Sequence, residues 1–88
     1  MGEAIKEKDK AKITLLREKM GWSQLFVAES IGCSREYINL LERRKKKNPS
    51  SILIKKLAYL YGTTTDDILK DLGLWHIVHI ITVMRHNA

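Results

Sequence analysis

The residues with the most chemical reach in this chain are cations. Arg43-Arg44-Lys45-Lys46-Lys47 sets five positive charges side by side. The chain holds 16 Lys and Arg against 10 Asp and Glu, a formal net charge of +6, so this one run carries nearly all of the surplus. A local cluster of cations is what phosphate binding requires. A solvated loop kept soluble by its charge would carry the same run, so the cations alone do not decide. His76, His79 and His86 are the next candidates. A metal needs three or four ligands in fixed geometry, and neither Cys nor carboxylate lies beside them in the tail, so they read as a wetted helix face. The single Cys33 excludes an intrachain disulfide framework and a Cys-rich zinc module. No Ser–His–acid set, Gly-rich phosphate loop or paired carboxylate site is supported. The sequence therefore implies no enzyme, no metal and no cofactor.

Elements must hold the cations in place. Eighty-eight residues supply one domain and one core. A hydrophobic fraction of 44% suits a globular chain, and one Pro with five Gly leaves little for a loop-rich β fold. No apolar run reaches the ~18 residues of a membrane span. The first residues, MGEAIKEKDKAK, lack the apolar stretch of a secretion signal. A reduced, cytoplasmic protein without membrane partners is expected.

Residues 1–8 read as a polar arm. A helix pattern begins at about Asp9, with Ile13, Leu16 and Met20 at helical spacing, and Gly21 stops it. Ser23 reads as an N-cap for a helix over Gln24 to Ile31, whose inner face is Val27, Ala28 and Ile31. Gly32-Cys33 makes a tight turn, and Cys33 reads as a structural thiol. Ser34 caps a third helix from about Arg35 to Glu42 or Arg43, which buries Ile38 and Leu41. The basic run and Asn48-Pro49 break the chain. A fourth helix covers about Ser51 to Tyr61 and ends at Gly62. Thr65 is expected to cap a fifth helix, with Asp66 and Asp67 in its first turn, Ile68, Leu69 and Leu72 on its apolar face, and Gly73 at its end. Lys55 and Lys56 read as a solvated helix edge.

Two capped short helices joined by a Gly-containing turn form a helix-turn-helix signature. Ala28 is small enough for the third helix to cross closely. The third helix keeps Arg35, Glu36, Asn39 and Leu40 facing outward, on a face that suits a major groove about 12 Å wide.

The stretch Leu16-Arg17-Glu18-Lys19-Met20-Gly21-Trp22-Ser23-Gln24 resembles the opening of the Cro/phage-repressor type, or XRE-like, helix-turn-helix family. The likeness continues through Val27-Ala28, Ile31-Gly32-Cys33-Ser34 and Tyr37-Ile38-Asn39-Leu40-Leu41-Glu42, then Asn48-Pro49-Ser50, Leu57-Ala58, Tyr61-Gly62 and Asp66-Asp67-Ile68-Leu69. It implies an all-α, five-helix, lambda-repressor-like domain over residues 9–72. It also implies duplex DNA as partner, a homodimer and a role in transcription regulation. By resemblance Gln24 bonds a DNA phosphate, and Ser34, Arg35 and Glu36 open the recognition helix. Arg suits guanine and Glu suits cytosine, while Asn39 and Leu40 can reach an adenine edge and a thymine methyl. Tyr37 touches the DNA backbone or packs beside it, and Arg43, Arg44, Lys45, Lys46 and Lys47 follow the phosphates. Arg17 and Glu42 are implied to form a structural salt bridge. Arg44 stands where many family members have Gly, and the loop to Pro49 is one residue longer than the commonest form, so the loop path is a point of departure.

Residues 73–88 form a C-terminal extension. An amphipathic helix is favoured there over a strand, with His76, His79, Thr82 and His86 on one side. Leu74, Trp75, Ile77, Val78, Ile81 and Met84 are the expected dimer surface, because an apolar stripe is costly to leave in water. The expected function is a sequence-specific transcriptional regulator, a repressor in the first instance, on a palindromic operator. The alternative is an antitoxin-type autorepressor whose tail also binds a toxin protein. Any effector is expected to be another protein.

Overall fold

A computed structural model describes residues 9–74 and His76. Among these residues the chain forms five helices and no strand: α1 (Lys12–Lys19), α2 (Gln24–Ile31), α3 (Arg35–Glu42), α4 (Ser51–Tyr61) and α5 (Thr65–Asp71). Short helices of this length are marginal alone in water, so their stability comes from the core they share. That core joins Ile13 of α1, Val27, Ala28 and Ile31 of α2, and Ile38 and Leu41 of α3 to Ile54, Leu57 and Ala58 of α4 and Ile68 and Leu69 of α5. Val27, Ala28 and Leu41 are wholly buried where α2 crosses α3. The absence of bulk at Ala28 permits that close crossing. Replacing Leu41 with Ala in such a site costs about 2–5 kcal/mol.

The caps follow the sequence closely. The Ser23 hydroxyl accepts from the Phe26 amide at 3.0 Å, and the Ser34 hydroxyl accepts from the Tyr37 amide at 3.1 Å. Gly32 lies between them at φ +82°. Gly adopts that left-handed conformation without the penalty a Cβ would bring, which lets the chain reverse while the Gly32 and Cys33 amides both donate to the Ala28 carbonyl. The Ser50 hydroxyl caps α4 through the Leu53 amide.

Three details of the helices depart from expectation. The first helix begins at Lys12, not at about Asp9, because Ala11 is still extended at φ −60°, ψ 145°. Met20 does not face inward: it is the C-cap of α1 and is 56% exposed, while Ala11 is buried instead. The cap of α5 is Thr64, not Thr65. Thr64 has the extended backbone a cap needs, and its hydroxyl accepts from the Asp67 amide at 3.1 Å, whereas Thr65 is already helical.

The N-terminus of α1 has no cap from its own side chains. Asp71, at the end of α5, supplies one. Its two carboxylate oxygens accept from the Lys12 amide at 2.7 Å and the Ile13 amide at 3.0 Å. A carboxylate there satisfies orphan donors and faces the positive end of the helix dipole. Helices α1 and α5 are thereby joined.

Leu74, expected at a dimer surface, is 6% exposed and belongs to this chain's own core. It reaches the core through the turn at Gly73, where the Leu74 amide donates to the Leu69 carbonyl at 2.8 Å. The other tail residues assigned to that surface, Trp75, Ile77, Val78, Ile81 and Met84, lie outside the described residues, as does the question of helix against strand.

Candidate nucleic-acid interface

Helix α3 separates its two faces cleanly. Ile38, Leu41 and Glu42 are buried, Arg35 and Glu36 are exposed, and Asn39 and Leu40 are half-exposed. The residues expected to read bases thus share one side of a helix whose opposite side is anchored in the core. Glu36 also sits in the first turn, where a negative charge is favoured.

A buried ion pair fixes the angle of that helix. Arg17 Nε donates to Glu42 Oε2 at 2.7 Å, and Nη2 donates to Oε1 at 3.0 Å. The remaining nitrogen, Nη1, donates to the Trp22 carbonyl at 2.8 Å. The side chains are only 14% and 5% exposed. The hydrogen bonds to Glu42 hold the Arg17 pKa above its ordinary value, against the opposing cost of burial. Two-pronged geometry with every donor nitrogen engaged is what offsets the desolvation of such a pair. Trp22 stacks on Tyr61 with ring centroids 6.1 Å apart and meets Phe26 in a tilted contact at 5.3 Å. Burial, with Glu42 nearby, pushes the Tyr61 hydroxyl well above the usual phenol range.

Gln24 joins the same network. Its side-chain amide donates to Glu42 Oε1 at 3.1 Å. The residue assigned by resemblance to a DNA phosphate is therefore held at the start of α2 by the carboxylate that also holds Arg17.

The basic run does not behave as one unit. Arg43, Lys45 and Lys47 are exposed. Lys46 lies over the Tyr37 ring, its Nζ 5.1 Å from the centroid, an arrangement in which the ring face attracts the cation. The Tyr37 hydroxyl accepts from the Ser50 amide at 2.8 Å, so Tyr37 ties α3 to the start of α4. Arg44 turns away from the run. Nε donates to the Asp71 carbonyl at 2.9 Å, Nη1 donates to the Asp9 carbonyl at 3.1 Å, and Nη2 lies 3.7 Å from Asp71 Oδ1. Its backbone is left-handed at φ +57°. The Arg44 and Lys45 amides close the end of α3 on the Leu41 and Leu40 carbonyls. That is the position helices commonly give to Gly.

Sequence reasoning missed Asp71, Asp9 and the Tyr37–Ser50 bond. Nothing local marks Asp71 as the cap of a helix that begins 59 residues earlier. Cys33 is half-buried, and desolvation raises its thiol pKa, which suits a structural thiol better than a reactive one. Among the described residues there is no group of three or more His, Cys, Asp or Glu arranged to hold a metal. No described helix is long and apolar enough to cross a membrane. His76 is exposed; His79 and His86 lie outside the described residues.

Five helices, a capped α2–turn–α3 unit and an outward polar face on α3 define a helix-turn-helix DNA-binding domain. The helix-turn-helix family model matches residues 13–68, and the chain belongs to that family, in its Cro/phage-repressor or XRE-type branch. It is a DNA-binding domain of the transcription-regulator type. No curated protein and no solved structure was found to match the chain.

Proposed function

We propose that this protein is a sequence-specific repressor that binds duplex DNA as a homodimer. The observation that carries the reading is the split face of α3. Arg35, Glu36, Asn39 and Leu40 point away from a core that grips the same helix through Ile38, Leu41 and Glu42. A rigidly held helix presenting Arg, Glu and Asn is suited to base edges, which carry sequence information. Ser34 and Gln24, at the starts of α3 and α2, and the exposed cations Arg43, Lys45 and Lys47 flank that face. They are suited to meet phosphates and fix the register.

A partner copy would bring a second recognition helix about 34 Å away, one turn of DNA. Trp75, Ile77, Val78, Ile81 and Met84 supply the apolar side chains for that association. Selection of bound sequences from random duplex DNA tests sequence-specific recognition and two-fold binding together. The expected product is a two-fold symmetric site with half-sites about 10–10.5 base pairs apart. Recovery of unenriched DNA would defeat sequence-specific recognition, and a single unpaired half-site would defeat the dimer.

A further inference from the structure

Arg44 sits near the middle of a cationic run, yet its guanidinium is engaged by acceptors of this chain. Its partners come from two distant segments: it donates to the Asp9 carbonyl before α1 and to the Asp71 carbonyl at the end of α5, and it lies in ion-pair range of the Asp71 carboxylate at 3.7 Å. The same carboxylate caps α1 through the Lys12 and Ile13 amides. The backbone at Arg44 holds a left-handed φ of +57°, a conformation that costs any residue with a Cβ and that Gly adopts freely. A side chain is thus kept where the backbone favours none, and that side chain bonds across the surface to two other segments of the chain.

We propose that Arg44 is a positioning residue, not a phosphate ligand: with Asp71 it clasps the basic loop to the start of α1 and the end of α5, and so sets where Arg43 and Lys45 stand. The proposal rests on the DNA-binding reading for its consequence and on the fold alone for the clasp. Arg44 remains 41% exposed, so the ion pair adds little stability by itself. Its effect is geometric. A planar guanidinium can address two carbonyls and a carboxylate at once, and a lysine ammonium in its place cannot reproduce that fork. Phosphate attraction, by contrast, needs only the charge. Arg44→Lys therefore separates the two roles.

The test uses the full chain and a random-sequence duplex, with affinity measured across a salt series. Lys45→Ala should flatten the dependence of log K on log salt by about 0.9, the change for one phosphate left without its cation. Arg44→Gly, which the left-handed backbone accommodates, leaves Arg43 and Lys45 able to reach their phosphates at a cost in loop ordering, so it should leave that slope unchanged and lower affinity by the same factor at every salt concentration. Arg44→Lys should match Arg44→Gly. A slope flattened by about 0.9 in Arg44→Gly, and restored by Arg44→Lys, would make Arg44 a phosphate ligand and overturn the proposal.

The clasp is read independently by thermal unfolding of Arg44→Gly, Asp71→Ala and the double variant. Backbone relief at residue 44 is common to both Asp71 backgrounds and cancels. The clasp predicts non-additivity of at least about twofold in the unfolding constant; additive effects together with unchanged amide exchange at Lys12 and Ile13 in Arg44→Gly would overturn it. Faster amide exchange at Lys12 and Ile13 in Arg44→Gly is the accompanying sign, with Asp71→Asn as the milder variant if Asp71→Ala does not fold. If the parent chain binds no duplex, the DNA reading fails while this cycle still decides the clasp.

Discussion

Arg35 and Glu42 lie on the same helix and have opposite duties. Arg35 is exposed at the start of α3, and Glu42 is buried at its end. Arg35→Ala should cost about 1–3 kcal/mol on the selected operator while sparing random duplex. Equal weakening on both, measured by titration, would reduce Arg35 to a phosphate ligand. Glu42→Ala removes the acceptor of Arg17 and of Gln24. It strands a guanidinium that is largely out of water, so a destabilisation of about 3–5 kcal/mol is expected in denaturant unfolding. Replacing both partners by apolar residues of similar volume should cost far less, since no uncompensated charge remains. Equal costs for the single and double variants would show that the pair matters through its packing.

Among the helices, what matters is which residue terminates each one. Thr64 caps α5 through the Asp67 amide. Thr64→Ala should destabilise by about 1 kcal/mol, the usual size for removal of a cap. Thr65→Ala should be close to neutral, since Ala suits a helical position at least as well. Chemical denaturation of the two variants distinguishes them, and the reverse order would move the cap by one residue. Such boundaries are the least legible part of the sequence. Thr63, Thr64 and Thr65 are all acceptable caps, and only the backbone turn decides among them. The α2–turn–α3 unit is fully legible, because Ser23, Gly32 and Ser34 each have one local role. The start of α1 is not, because its cap comes from Asp71.

For the molecule as a whole, acid–base behaviour and assembly are the accessible tests. Tyr61 has a raised pKa through burial and the nearby Glu42 carboxylate. A phenol that ionises near pH ~10 in the unfolded chain but later in the fold stabilises the fold fully below that pH. As pH rises above about 10 the unfolded state loses its proton first, so this contribution falls. Stability should decline on that side, and Tyr61→Phe should decline less over the same range in pH-dependent unfolding. Parallel curves would remove Tyr61 from the account. Assembly is tested by truncation after Leu74, not after Gly73, because Leu74 is part of this chain's core. The shortened chain should fold, and sedimentation should find it dimerising more weakly. An unchanged dimer would put the interface between copies elsewhere.

Local sequence dictates the α2 and α3 caps, the apolar faces and the identity of the outward residues on α3. Each of these follows from neighbours one turn apart, where hydrogen bonding and periodicity act. The family likeness is carried by the same elements. How five adjacent cations divide is settled only when the chain is folded. Arg43, Lys45 and Lys47 face water, Lys46 rests on the Tyr37 ring, and Arg44 reaches Asp9 and Asp71. Folding likewise puts Leu74 in the core and Asp71 at the head of α1. The Arg44 and Asp71 outcomes depend on groups 27 to 59 residues apart in the chain meeting in space. Local spacing has no means to encode such meetings, because packing of the whole core decides which chain segments lie side by side.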